Sequence, residues 1–205
     1  MFGLPKTTAI NKPLPKKAIF DKFKPKPDDR RLFDEQISRL AIIAEISPQT
    51  VAIAPSADVA AIYVILVTLK TPACDKKNIA LLSKLIDQRM VFALQYEDTV
   101  QFAVYRAERV LLSERNPLGG SNLQLTGLDL GAVWENIIAH IVGVDLTGGK
   151  DLDKTIAANE RRNKLTKQIV ALEKIARNER QPRRKWEYAG EIKKLKQELE
   201  ELSHG

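Results

Sequence analysis

Runs of apolar residues between positions 28 and 142 predict a sheet flanked by helices. Residues 60–70 are apolar at almost every position, which is typical of a central strand that is buried on both faces. Further strands are predicted at residues 39–47, 90–96 and 100–105, and weaker ones at residues 109–113 and 123–126. Because only three residues separate strands 90–96 and 100–105, these two strands are predicted to form a hairpin.

Apolar residues recur every three to four positions in three segments of the same region. This spacing predicts helices at residues 28–38, 76–86 and 130–142. The order strand, helix, strand over residues 60–96 is long enough for a right-handed crossover between parallel strands. We therefore predict an α+β fold, with a mixed β-sheet body and packed helices over residues 28–147. His140 is predicted to lie half-buried on the last of these helices.

Residues 1–27 have a different character, with five prolines and no long apolar period. Each proline fixes φ and removes a backbone donor, so the segment is predicted to be a basic Pro/Lys-rich arm. One short helix is predicted at residues 16–23. Phe20 and Phe23 are the side chains that can attach this arm to the body.

Residues 151–205 have the composition of long helices and are predicted to form a helical hairpin or a coiled coil. Two apolar series recur at helical spacing: Leu165, Ile169, Leu172 and Ile175, then Tyr188, Ile192, Leu195, Leu199 and Leu202. Either the two helices fold back on each other at residues 180–184, or the second series pairs with another chain in a homo-oligomer. Short connections favour the hairpin. Gly119-Gly120 and Gly148-Gly149 are predicted to be turns.

The composition excludes several classes of protein. Of 205 residues, 44% are hydrophobic and 29% are charged, and no apolar run approaches the ~20 residues that span a bilayer. The single cysteine, Cys74, cannot form an intramolecular disulfide, and the N-terminus has no apolar stretch of signal-peptide length. We therefore expect a cytoplasmic protein with no membrane partner. Two histidines and one cysteine are too few for a structural zinc site, and no cofactor is expected.

The net charge of +7 is concentrated near the two ends of the chain. Residues 1–31 contain nine Lys or Arg and three Asp, and residues 161–185 contain ten Lys or Arg and two Glu. The region between them, residues 32–160, contains eleven basic and sixteen acidic residues. Each basic segment could attract phosphate, the carboxylates of a partner, or only water.

The density of charge in residues 161–185 favours a polyanionic partner, because self-repulsion of this size is unfavourable without one. The residues predicted to contact nucleic acid are Arg177, Arg180, Arg183, Arg184 and Lys185, with Lys12, Lys16 and Lys17 of the arm. Such contacts to phosphate are expected to be non-specific in sequence. Trp186, directly after this cluster, could stack on a base or fill the hairpin junction, and we expect the junction.

Catalytic motifs are incomplete. A metal-dependent nuclease needs carboxylates and a lysine around a divalent cation, often as acid-x-Lys at the end of a central strand. The predicted central strand ends in Thr68-Leu69-Lys70, so a threonine stands where the motif has a carboxylate. Glu45 and Asp58 are the nearest upstream acids, and neither completes the motif. Neither histidine lies in a nucleophile motif. We therefore predict no catalytic and no metal-binding residues, and a non-enzyme is favoured.

Several spaced motifs resemble a known family. They are Leu4-Pro5-x-x-Thr8-x-x-Asn11-Lys12-x-x-Pro15-Lys16, Ile37-x-Arg39, Ile46-Ser47-Pro48, and Leu85-Ile86 followed by Met90-Val91-Phe92-Ala93-Leu94. From the arm to the helical tail, the chain resembles a bacterial domain-of-unknown-function family, number four-three-nine-one. The resemblance implies an accessory role beside the helicase and DNA-methyltransferase genes of restriction-like systems. Members with an acid two residues before the strand lysine differ from this chain, which has Thr68.

The leading hypothesis is a non-enzymatic accessory protein of a DNA-processing or phage-defence system. In this hypothesis it docks onto a larger helicase or methyltransferase, and its basic hairpin contacts DNA or RNA. A metal-dependent nuclease that uses Glu45 or Asp58 with Lys70 is one alternative. The other is an assembly factor whose basic hairpin binds an acidic protein surface.

Overall fold

The structure, a computed structural model, describes residues 1–146 and 151–204 of the chain. The chain divides into two compact units, Met1–Gly143 and Val144–Gly205. The predicted turn at Gly148 and Gly149 and the end of the predicted body at Thr147 lie outside the described residues.

A six-stranded sheet forms the centre of the first unit, and its strands follow one another in sequence order. They are β1 (Ala9–Pro13), β2 (Ile37–Ile46), β3 (Ile62–Leu69), β4 (Arg89–Tyr96), β5 (Thr99–Arg106) and β6 (Arg109–Pro117). Neighbouring strands are antiparallel except β3 and β4, which are parallel. A parallel pair needs a crossover connection, and the predicted crossover helix is present between these two strands.

Three helices cover one face of this sheet: α1 (Lys16–Phe23), α2 (Pro27–Gln36) and α3 (Lys76–Leu82). They contribute Ile19, Phe33 and Ile79 to one buried cluster, which also contains Val67 and Phe92 of the central strands. Because side chains alternate along a strand, the neighbours of these strand residues face the other side. The prediction of an α+β fold with a mixed sheet is therefore confirmed.

The fourth helix of the first unit, α4 (Leu130–Val142), has the predicted bounds and packs against β5 and β6. Asp129 caps its N-terminus, since the carboxylate accepts a hydrogen bond from the Ala132 amide at 2.8 Å. Gly143 ends the helix in the left-handed conformation, with φ of 67°. The prediction for His140 is wrong, because its side chain is exposed on this helix. It lies about 60° around the helix axis from Ile137, at the edge of the buried side, where its side chain reaches solvent.

Residues 9–13 were not predicted to form a strand, yet they form β1 at the edge of the sheet. Ala9 pairs with Ala44 and Pro13 pairs with Ala41. Proline is tolerated there because the outer side of an edge strand needs no backbone donor. The helix predicted at residues 16–23 is confirmed, and the Phe20 ring lies 5.3 Å from that of Phe33. The predicted arm is thus part of the first unit.

The prediction of a weak strand at residues 123–126 is wrong, because these residues have no regular secondary structure. The apolar and polar alternation is real, since Leu123 is buried and Gln124 is exposed. The Leu123 amide donates to the Phe2 carbonyl at 2.9 Å, which is a single link and not a ladder. Alternating burial therefore arises here without a neighbouring strand.

The second unit contains a helical hairpin. Its helices are α5 (Leu152–Asn178) and α6 (Pro182–His204), and they pack against each other. Arg161 forms a 2.6 Å ion pair with Glu198, and Lys196 forms a 2.8 Å ion pair with Glu173. Because only residues 179–181 connect two helices that pack against each other, the chain folds back on itself, and the predicted hairpin is confirmed. Leu165 and Ile169 are buried, and the predicted series from Tyr188 to Leu202 is half-buried along α6.

Gln36, the last residue of α2, joins three elements of the first unit. Its carbonyl accepts a hydrogen bond from the Lys70 amide at the end of β3, at 2.8 Å. Its side-chain oxygen accepts from the Asp75 amide at 2.8 Å and from the Asn78 side chain at 2.9 Å. Asn78 is buried, so these bonds satisfy polar groups that water does not reach.

Cys74 lies beside this junction and is half-buried. The pKa of its thiol is raised to about 11 in total: burial raises it, a hydrogen bond with the Asn78 side chain lowers it, and the charge of Asp75 raises it. The thiol is therefore protonated at neutral pH. A protonated, half-buried thiol is a poor nucleophile.

We expect Gln36→Ala to lower the free energy of unfolding by about 1 to 3 kcal/mol, because it leaves the Asp75 amide and the Asn78 side chain without their acceptor. Urea denaturation measures this change. Glu35→Ala is the matched control: Glu35 is exposed, and its 3.9 Å pair with Arg31 should contribute less than about 1 kcal/mol. Equal losses in the two variants would contradict the role of the Gln36 side chain.

We expect Cys74 to react slowly with iodoacetamide at pH 8. The raised pKa leaves a very small thiolate fraction, so alkylation of the folded protein should be about tenfold or more slower than in denaturant. Mass spectrometry over time measures both rates. Equal rates in the folded and the denatured chain would show that the thiol is accessible and ionised.

Candidate nucleic-acid interface

The turn between α5 and α6 is closed by a single acidic side chain. The Glu179 carboxylate accepts hydrogen bonds from the backbone amides of Arg180 and Gln181, at 2.8 and 2.9 Å. Pro182 begins α6, at a position where its fixed φ suits the helix and no amide is needed. The turn therefore holds the end of one helix close to the start of the next.

We call residues 177–185 the hairpin tip. All five of its basic side chains are exposed: Arg177, Arg180, Arg183, Arg184 and Lys185. Arg183 has an ion pair with Glu187, at 3.4 Å, with 93% of the arginine side chain exposed. Among the described residues, the other four have no ion pair within 4.0 Å. The tip is thus a cluster of cations whose charges are balanced weakly within the chain.

The remaining cations of residues 161–185 have different roles. Arg161 donates two hydrogen bonds to the Glu198 carboxylate, at 2.6 and 3.1 Å, and so serves the packing of the hairpin. The other four, Arg162, Lys164, Lys167 and Lys174, are exposed along α5. The ten cations of residues 161–185 therefore fall into three groups. Arg161 packs within the hairpin, four cations lie on the exposed surface of α5, and five lie at the hairpin tip.

The prediction that Trp186 fills the hairpin junction is wrong, because 80% of this residue is exposed. Tyr188 and Ile192 mark the side of α6 that lies half-buried in the hairpin. Trp186 precedes Tyr188 by two residues, or about 200° around the helix axis, and so points away from that side. Its phase relative to the apolar series is the signal that could have predicted this.

The lysines predicted to assist lie in the first unit. Lys12, on edge strand β1, and Lys17, on α1, are exposed. Lys16 is half-buried and its ammonium lies 3.0 Å from the Asp34 carboxylate. Lys12 and Lys17 are therefore available to an anion, whereas Lys16 already has a partner.

The fold does not bring together the residues of the nuclease alternative. Glu45 is paired in register with Tyr63 near the start of β3, whereas Lys70 directly follows the end of that strand. Tyr63 and Lys70 are seven positions apart along the chain, which is about 23 Å at roughly 3.3 Å per residue. The Lys70 ammonium also donates to the Asp34 carbonyl at 2.6 Å. Glu45 acts locally, since burial and the adjacent carboxylate raise the pKa of Tyr63.

Asp58 lies instead on the wall of a cleft of about 470 Å³ in the first unit. Asp87, Arg89, Tyr105 and Trp134 also line this cleft. No sequence motif indicates this cleft, because its lining residues come from four separate segments of the chain. Within the described part of the chain, no group of three or more His, Cys, Asp or Glu residues is placed to hold a metal ion.

None of the helices that the structure describes is both long enough and apolar enough to cross a lipid bilayer. The two longest described helices, α5 and α6, have enough residues to span a bilayer, but charged residues recur throughout both.

Comparison with known proteins gives one match. The family model described as a domain of unknown function (DUF4391) matches residues 2–199. No curated protein and no solved structure matches the chain. The matched region includes the sheet, the helices around it and nearly all of the hairpin. The chain therefore belongs to the DUF4391 family, as the spaced motifs of its arm and strands predict.

Proposed function

We propose that the protein is a non-enzymatic accessory protein that contacts nucleic acid, without strong sequence preference, through its hairpin tip. The observation that carries this proposal is the cluster of five exposed cations at the tip. The first turn of α6 contains three of them, Arg183, Arg184 and Lys185, and no acidic residue.

The placement of these cations is electrostatically unfavourable for the isolated chain. The N-terminus of a helix carries a partial positive charge, so cations in the first turn of α6 are repelled by the helix as well as by one another. Glu179 cannot compensate for all of them, because one carboxylate carries a single negative charge against five cations. A bound polyanion would relieve this repulsion, which supports a ligand with many negative charges.

The chemistry of the side chains suits phosphate. Four of the five tip cations are arginines, whose planar guanidinium groups can donate two parallel hydrogen bonds to a phosphate. Phosphates lie along the backbone of every sequence, so such contacts position the protein without reading bases. Lys12 and Lys17 of the first unit are exposed and can add further phosphate contacts.

The accessory role is supported by the family resemblance, which implies a larger helicase or methyltransferase partner in a bacterial DNA-processing or phage-defence system. The separation of Lys70 from Glu45 supports a non-enzymatic role over the metal-dependent nuclease. Binding of the tip to an acidic protein surface uses the same charges, and the experiment below distinguishes it.

We expect the double charge reversal Arg183→Glu with Arg184→Glu to weaken binding to all DNA sequences alike. If about four cations engage a duplex, the slope of log K against log salt should be near −3.6 for the natural chain, and loss of two contacts should bring it to about −1.8. Titration of labelled duplexes of different sequence at several salt concentrations measures these slopes.

Lys193→Glu with Lys194→Glu is the matched control, because both lysines are exposed on α6 outside the tip and the change in net charge is the same. This control should keep the steeper slope. If the two double variants gave identical plots of log K against log salt, DNA binding would depend on net charge alone and not on the hairpin tip. Absence of binding at low salt would contradict the proposal and favour an acidic protein partner.

A further inference from the structure

Trp186 is the most exposed large apolar side chain among the described residues of the second unit. Its exposure is 80%, compared with 60% for Val170 and 48% for Ile175. Covering the faces of an indole removes a large apolar area from water, which is favourable. Trp186 directly follows the three cations of the first turn of α6, so an uncovered aromatic face lies beside a cluster of positive charge.

The surroundings of Trp186 leave its ring uncovered. No aromatic ring and no cation stacks on it among the described residues. Ala189 and Gly190, one turn further along α6, are small, and a Cβ added at Gly190 would meet no atom within 4 Å. Side chains on a helix lean toward its N-terminus, so Trp186 leans over the turn that carries Arg183.

We propose that Trp186 is a stacking platform for an unpaired nucleobase, so that the hairpin tip prefers single-stranded nucleic acid to an intact duplex. This inference rests on the proposed function, since it names the class of nucleic acid that the tip binds. Aromatic rings among cations are the usual means of holding single strands, because the ring stacks on a base while the cations contact the backbone.

An intact duplex cannot use this platform along its length, because each internal base is already covered by neighbours on both faces. Duplex binding would use the cations alone. A protein partner is less favoured, because the residues three and four positions from Trp186 on the helix provide no second large apolar side chain for such an interface. They are Pro182, Arg183, Ala189 and Gly190.

The test uses the full chain with an oligothymidylate of about 12 nucleotides and a duplex of the same length, at low salt. We expect Trp186→Ala to weaken binding of the single strand about tenfold or more and to change duplex binding by no more than about twofold. Trp186→Phe should keep part of the single-strand affinity. Val170→Ala is the matched control, because it removes another exposed apolar side chain of the hairpin, and it should change neither affinity.

Tryptophan fluorescence tests the stacking in a second way, because it can detect a base on Trp186 in the natural chain without a change in affinity. The chain has two tryptophans, and Trp134 is 4% exposed, so quenching by a bound base should come from Trp186. The single strand should quench the emission of the natural chain, the duplex should not, and Trp186→Phe should show no quenching.

Equal losses for the single strand and the duplex in Trp186→Ala, or unchanged affinities together with unchanged fluorescence, would overturn the stacking inference. Either result would leave the proposed function standing, because the natural chain would still bind nucleic acid through its cations. Failure of the natural chain to bind either oligonucleotide would contradict the proposed function itself.

Discussion

Repulsion among the cations of the hairpin tip is the constraint on which the functional account depends. Antiparallel packing of α5 and α6 brings the cations at the end of one helix next to those at the start of the other. The hairpin tolerates this arrangement because its own stability comes from elsewhere. Leu165 and Ile169 are buried along α5, and Arg161 with Glu198 provides an ion pair far from the tip. The tip can therefore carry excess charge without unfolding the unit.

The first unit has a different character, since several of its polar groups are paired with one another. Gln36 connects the ends of α2 and β3 with the start of α3, and Lys70 is held by the Asp34 carbonyl. Lys16 is likewise paired with Asp34. The nuclease alternative is weakened for this reason: its lysine has a local structural partner, and Glu45, on β2, lies opposite the start of β3, whereas Lys70 follows the end of β3.

Much of the fold could be predicted from apolar periodicity, because the periods of strands and helices differ and most segments are long. The helices at residues 16–23 and 130–142 have the predicted bounds. Strand β1 escaped prediction because it depends on the edge of β2 and has no alternating pattern of its own. Residues 123–126 have the alternating apolar and polar pattern of a strand but no neighbouring strand to pair with, so the pattern predicted a strand that does not form.

The cations of the candidate interface could be identified from the sequence, whereas their availability could not. Lys16 and Lys17 are adjacent in the chain, but the Lys16 ammonium pairs with the Asp34 carboxylate whereas Lys17 is exposed to solvent. Trp186 shows the same limit, since its exposure depends on which side of α6 packs in the hairpin. Local residue type indicates the chemistry, and tertiary packing decides which side chains can perform it.

Amide hydrogen exchange of the full chain, with and without an oligonucleotide at low salt, tests directly whether the hairpin tip binds nucleic acid. Bound phosphate would relieve the repulsion in the first turn of α6, so the account predicts slower exchange in peptides that cover residues 177–186 and unchanged exchange in the strands β3 and β4. Unchanged exchange at the tip in a sample where the oligonucleotide is bound, with slowing confined to the first unit, would contradict it.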